Sequence, residues 1–328
     1  MKKILLIFNV LFVFTHVVLA QGFIWDEDIQ KQYDEMDPLQ INSRAILPPS
    51  TSVEQFAPKF CWSQGETQLC VAYALAYART TLYNQNKRVT DEDDQLRNLF
   101  SPGFMYWCAS AEGNDCFSGL NPIKALEVLS NHGIAPIRSV ENADYYPFTS
   151  TRLCYNYPSN FKEDLSEASL YKIDKWSKVD NIAQIKTALS QGSPCLYGIR
   201  VVNSFHTITG GSLWTPYSSE SPDNSNSIHA LVVIAYDDYR HGGAFKIANS
   251  WGCEWGDDGD IWIKYDDFFE YAVATFSLHR RYEGSSFGTS RSVVSIPEDI
   301  NIPNFSEQQP ELFEEVADYL DVELFNNE

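Results

Sequence analysis

Residues 61 to 70 read CWSQGETQLC, so that Cys61 and Cys70 flank a Gln-Gly pair, Gln64 and Gly65. A thiol is a weak nucleophile until it ionises, and its pKa falls at a helix N-terminus or beside a histidine that can share the proton. Cys70 opens the Ala-, Leu- and Tyr-rich run CVAYALAYARTTLYNQ, which holds no Gly or Pro and reads as a buried helix starting near that residue. Far downstream, HALVVIAY begins with His229 and AFKIANSW carries Asn249, the two runs being joined by DDYRHGG. An antiparallel hairpin turning near residue 239 has an index sum of about 478, which sets His229 opposite Asn249. An Asn there holds an imidazole's tautomer and orientation by a hydrogen bond. A thiolate-imidazolium pair of this kind suits attack on an amide or ester carbonyl. The Cys70 amide and the Gln64 side chain, six residues earlier, are candidate donors to the oxyanion then formed.

The elements that must carry these residues divide the chain in two. In the middle of the chain, helix-like pieces such as NPIKALEVLSNHG, stopped at Gly133, alternate with loops. From about residue 195 short apolar runs take over, CLYGIRV, HALVVIAY, AFKIANSW and GDIWIKY, and these read as strands. The expected class is α+β. Residues 21 to 50, polar, acidic and closing on LPPS, read as an extended lead-in.

The first 20 residues have a basic start at Lys2 and Lys3, an apolar stretch and small residues at Val18 to Ala20, the pattern of a secretory signal peptide cut after Ala20. No later run is apolar enough to span a membrane. The expected location is secreted or extracytoplasmic, periplasmic in a bacterium or a lysosome-like compartment in a eukaryote. With 44% hydrophobic residues a packed core is expected, and the net charge of -20 argues against nucleic acid and anionic membrane surfaces. Half of that charge lies beyond Pro297, where ten acidic residues and no Lys or Arg make an acidic tail. Seven cysteines in an oxidising compartment leave at least one thiol unpaired within the chain. No Cys or His set has zinc-like spacing, so neither a metal nor a cofactor is expected. His132 reads as a helix-end histidine, His241 as a turn residue, and His206 in SFHTITGG as a loop histidine, the alternative being a residue that lines the cleft.

Taken together, the Gln64 to Cys70 spacing, His229 heading its strand, and NSWG at 249 to 252 followed by WGDDGDIWIK resemble the papain family of cysteine peptidases. The resemblance runs from about 47 to 282 and is to a secreted, bacterial-type variant. It implies a two-lobed α+β fold, with a helical lobe over about 60–165, an antiparallel β-barrel-like lobe over about 166–282, and a cleft between them. Residues 21–46 are then a short extension, and 283–328 the tail. It implies Cys70 as nucleophile, His229 as base, Asn249 as its orienter, Gln64 as oxyanion donor and Trp251 as a shield over the His229–Asn249 bond. FSPGFMYWC (100–108), CFSGL (116–120) and YPF (146–148) also match, which points to Ser118 and Gly119 as substrate-binding residues and to a Cys108–Cys154 disulfide. Where the family has the partner of Cys116 this chain has Thr67, and Cys61 is the expected substitute. Three departures stand out: Val71 follows the nucleophile instead of an aromatic, Phe117 and Ser118 replace Asn and Gly, and the long helical inhibitory propeptide is missing. The implied activity is peptide hydrolysis through a thioester, with protein or peptide substrates. The alternatives are another Cys-dependent acyl transferase or amidase, and a catalytically silent binding module.

Overall fold

The computed structural model describes residues 22–42, 44, 46–59, 61–110, 116–137, 161–225 and 227–279. The expected signal peptide, the YPF segment, Cys154 and the acidic tail lie outside them.

The helical part is built on α2 (Cys70–Lys87), which starts at the residue expected. Its Ala, Leu and Tyr side chains are buried nearly all round, so packing on every side holds it, and Arg88 in the left-handed conformation ends it. Against it pack α4 (Pro102–Ala109) and α5 (Pro122–Asn131), while α3 (Glu92–Leu96) follows it in the chain and α6 (Phe161–Ala168) leads on to the sheet. Ser101 caps α4 and Asn121 caps α5 through their side chains, each followed by a Pro in the first turn.

The strands β1 (Ser50–Ser52), β2 (Lys175–Lys178), β3 (Cys195–Val201), β4 (Leu213–Trp214), β5 (Ser227–Asp237), β6 (Ala244–Ala248), β7 (Asp260–Lys264) and β8 (Ala272–His279) form one sheet. Its order is β2-β8-β3-β5-β6-β7-β4, antiparallel except for the β4–β7 pair. β1 pairs Asp237, Tyr236 and Ala235 of β5, taking up the edge of that strand beyond the stretch that β3 covers. The sheet thus draws its first strand from ahead of all the helices of the other part. Three further helices, α7 (Ile182–Ser190), α8 (Asn203–His206) and α9 (Tyr265–Glu270), belong to this half. The architecture is α+β.

The lead-in is not extended throughout. α1 (Glu27–Glu35) is a helix, capped by the Asp26 carboxylate accepting from the Ile29 N–H. Only Ile29 and Tyr33, four residues apart, are buried on it. Two apolar residues are too few for a periodic signal, and it is the tertiary contact that holds the helix. Tyr33 stacks edge-on to Phe276 at 5.2 Å, and its hydroxyl accepts from the Thr275 N–H at 3.2 Å.

Candidate active site

The β5–β6 hairpin turns where expected, but its register differs. Val232 pairs Ala248 and Val233 pairs Ile247, an index sum of 480, and a bulge before Ala235 shifts the remaining pairs by one. His229 and Asn249 are therefore not directly opposite. They lie on the same face two residues apart along the ladder, a separation that side chains can bridge. His229 Nε2 sits 2.7 Å from Asn249 Oδ1. The same Oδ1 accepts the Ser250 backbone N–H at 2.7 Å, which identifies it as the amide oxygen. Nε2 must then be the donor, and in the neutral ring Nδ1 carries the lone pair. Nδ1 is buried and has no hydrogen-bond partner among the described residues.

Cys70 is the first residue of α2 and is completely buried. The backbone N–H groups of Ala230, next to His229, and of Gly22, Val71 and Cys70 itself act on the thiol to lower its pKa. Burial outweighs these donors and pushes the thiol up to about 12. Burial likewise lowers His229 to about 4, against the opposing pull of the Asn249 bond. Both groups are therefore neutral near pH 7 in this state.

Gln64 is held by a short antiparallel ladder between two loops. Gln64 N–H donates to Ser250 O, Ser63 bridges Trp251, and Gly252 N–H donates to Trp62 O. The index sum is 314, and the next rung is Cys61 with Cys253, which form a disulfide with a Cα–Cα distance of 5.0 Å. The expected Cys61–Cys116 pairing is corrected by this: the ladder opposes Cys61 to Cys253, and Cys116 is disulfide-bonded elsewhere. The expected Cys108–Cys154 disulfide is also corrected, since Cys108 is a free thiol buried on α4. Cys195, at the start of β3, is free as well. The Gln64 side chain is completely buried. Its Oε1 accepts from Ser250 Oγ at 2.6 Å and its Nε2 donates to Thr67 O at 2.8 Å, so one amide hydrogen is left.

Trp251 lies over His229 with ring centroids 4.5 Å apart and planes 29° apart. Gly119 and the half-buried Ser118 lead into Leu120, and here the chain's own N-terminal segment is bound. Leu120 N–H donates to Gly22 O at 2.9 Å, and Ile24 N–H donates to Leu120 O at 3.0 Å. A Cβ on Gly22 would fall 2.2 Å from Gln68 O and 2.9 Å from the Cys70 sulfur, so only glycine fits against the thiol. The Phe23 ring fills the space over Gly198, where a Cβ would come within 2.7 Å of it. Residues 22–25 therefore form a strap over the candidate nucleophile, a contact that the reading of this segment as an extended lead-in does not include. The GF dipeptide just after the expected signal cut was its only trace in the sequence.

A family profile described as papain family cysteine protease matches residues 66–278, well over half of the chain. The chain belongs to the papain family of cysteine proteases. Among curated relatives, it is 24% identical over 199 residues to the oryzain gamma chain of Oryza sativa subsp. japonica, covering 60% of this chain and 49% of that one. It is 24% identical over 198 residues to a pro-cathepsin H of Medicago truncatula, covering 60% of this chain and 51% of that one. It thus spans about half the length of these relatives. The fold is similar to that of xylellain, a cysteine protease from Xylella fastidiosa, with a TM-score of 0.61 and 23% identity over 80% of this chain and 97% of that one. It is also similar to a procathepsin B from Trypanosoma congolense, with a TM-score of 0.57 and 18% identity over 81% and 87% of the two chains. Among the described residues no group of three or more His, Cys, Asp or Glu could hold a metal ion, and no helix is long and apolar enough to cross a membrane.

Proposed function

We propose that this papain-family chain is a secreted cysteine peptidase that hydrolyses peptide bonds through Cys70, His229 and Asn249. One observation carries the reading: Asn249 fixes the proton of His229 on Nε2, leaving the Nδ1 lone pair unpartnered among the described residues, one residue before Ala230, whose N–H acts to lower the Cys70 pKa. In the reaction the Cys70 proton passes to His229 Nδ1 and the thiolate attacks the peptide carbonyl carbon. The oxyanion takes the Cys70 N–H and the remaining Gln64 amide hydrogen. Collapse breaks the C–N bond, His229 protonates the leaving amine, and a thioester remains. Water then gives a proton to Nδ1, attacks the thioester and releases the acid and the thiol. Secretion is supported by the leader sequence and by the Cys61–Cys253 disulfide, a bond of oxidising compartments.

The strap makes the covered form a resting state. A substrate backbone needs the edge at Gly119 and Leu120 that Gly22 and Ile24 occupy, and a charged thiolate-imidazolium pair needs the cleft open. Catalysis thus begins when residues 22–25 leave. A peptide-library digest read by mass spectrometry tests both points, using the full chain, Gly22→Val and Cys70→Ala. Cleavage that increases in Gly22→Val and vanishes in Cys70→Ala, with folding unchanged by circular dichroism, is expected. Cleavage retained by Cys70→Ala overturns the mechanism. Added amine in the same digest distinguishes hydrolysis from acyl transfer, since a transferase yields amide products.

A further inference from the structure

Trp251 carries two imidazoles against its indole. His229 is one; His206 is the other, with ring centroids 5.1 Å apart and planes only 12° apart. His206 ends α8, a four-residue helix seated by buried bonds on both sides. Trp255 Nε1 donates to Phe205 O at 2.8 Å, Trp214 Nε1 donates to Ser204 Oγ at 3.0 Å, and the Glu220 carboxylate accepts the Ser204 N–H at 2.8 Å. Phe205, fully buried beside His206, meets Trp251 edge-on at 5.7 Å. The indole of Trp251 is itself only partly buried, so its angle over His229 depends on the rings that grip it. Phe205 and Trp255 each meet it edge-on at 5.7 Å, and His206 stacks parallel to its plane.

We infer that His206 is a positioning residue for the proposed reaction, holding Trp251 in place as the cover that keeps water from the His229–Asn249 hydrogen bond. This rests on the Cys70–His229 reading of the site. A flat neutral ring suits the task, because it stacks on the indole without adding charge beside the imidazolium that forms during turnover. Burial lowers the pKa of His206 and keeps it in that neutral form near pH 7. The ionisable groups around it are His229, which also stacks on the indole, Glu220 at the start of α8, and Tyr217, whose hydroxyl lies 3.5 Å from Thr207 Oγ1.

The test compares the full chain with His206→Ala and His206→Phe, using Trp251→Ala as the limiting case. NMR of histidine-labelled protein reads the exchange of the His229 Nε2 proton with water, which does not require turnover. Loss of one aromatic contact corresponds to exchange faster by roughly three- to tenfold in His206→Ala, whereas His206→Phe stays close to the parent. The same variants in the Gly22→Val background should lose kcat in His206→Ala with KM unchanged, and regain it in His206→Phe. Unaltered exchange in His206→Ala, or a His206→Phe as impaired as the alanine variant, overturns the inference. A chain that shows the exchange effect but never cleaves peptide overturns the peptidase reading and leaves the positioning role of His206 standing.

Discussion

Gln64 is the residue whose role the geometry sharpens most. Its side chain ties Ser250 to Thr67 and has one amide hydrogen left for an oxyanion. Gln64→Ala is expected to lower kcat by about 10²-fold, the usual cost of one oxyanion donor. Because the same change also unties Ser250, its denaturant midpoint should fall too, and steady-state kinetics beside a urea titration separate the two effects. Cys70→Ala removes the proposed nucleophile without removing a packing volume larger than one sulfur, so hydrolysis should vanish while the thermal transition moves little. Gln64 and Cys70 were legible in the sequence because they share one loop, and His229 and Asn249 because they share one hairpin, whereas the meeting of the two segments is tertiary. Cys253 was not legible: it meets Cys61 only because two loops, 192 residues apart, lie side by side as a ladder.

Among the elements, the strap ahead of α1 is the one that covers Cys70, and on the proposed reading its release opens the site. Its hold on the cleft is a backbone pair with Leu120 and the Phe23 ring over Gly198, with α1 behind it locked to β8 through Tyr33. Gly22→Val puts a side chain where Gln68 O and the Cys70 sulfur already are, so the strap must lift. The expected outcome is the reverse of most glycine substitutions: alkylation of Cys70 by iodoacetamide should speed up by about tenfold or more at pH 7, as the thiol pKa falls toward its ordinary range. An unchanged alkylation rate would show that the strap does not cover the thiol in solution. The hairpin teaches a related lesson. Its turn could be read from DDYRHGG, but the bulge before Ala235 could not, because it depends on how β5 fits β1, β3 and β6 at once.

At the scale of the whole molecule, burial of ionisable groups sets how stability responds to acid. Burial holds both His229 and His279 down to about 4, against about 6.5 in an unfolded chain. Between these values the unfolded state binds the extra protons, so each histidine costs stability as pH falls. Asp260, raised to about 6 by burial, has the opposite slope and offsets one of them. The net expectation is a loss of about 1.4 kcal/mol per pH unit between about pH 6 and pH 4, measured by urea unfolding across that range. A flat response would mean that these histidines are solvated in solution. The sequence by itself determined the α+β class and the start of α2 at Cys70, and it singled out Gln64, Cys70, His229 and Asn249 as the proposed site, because helix composition, strand alternation and short spacings are local properties of the chain. Only the tertiary structure decided the Cys61–Cys253 bond, the helix α1, the stacking of His206 on Trp251 and the strap on Cys70. Each of these depends on surfaces that meet only after the helical part and the sheet have packed, where burial and shape outweigh local preference.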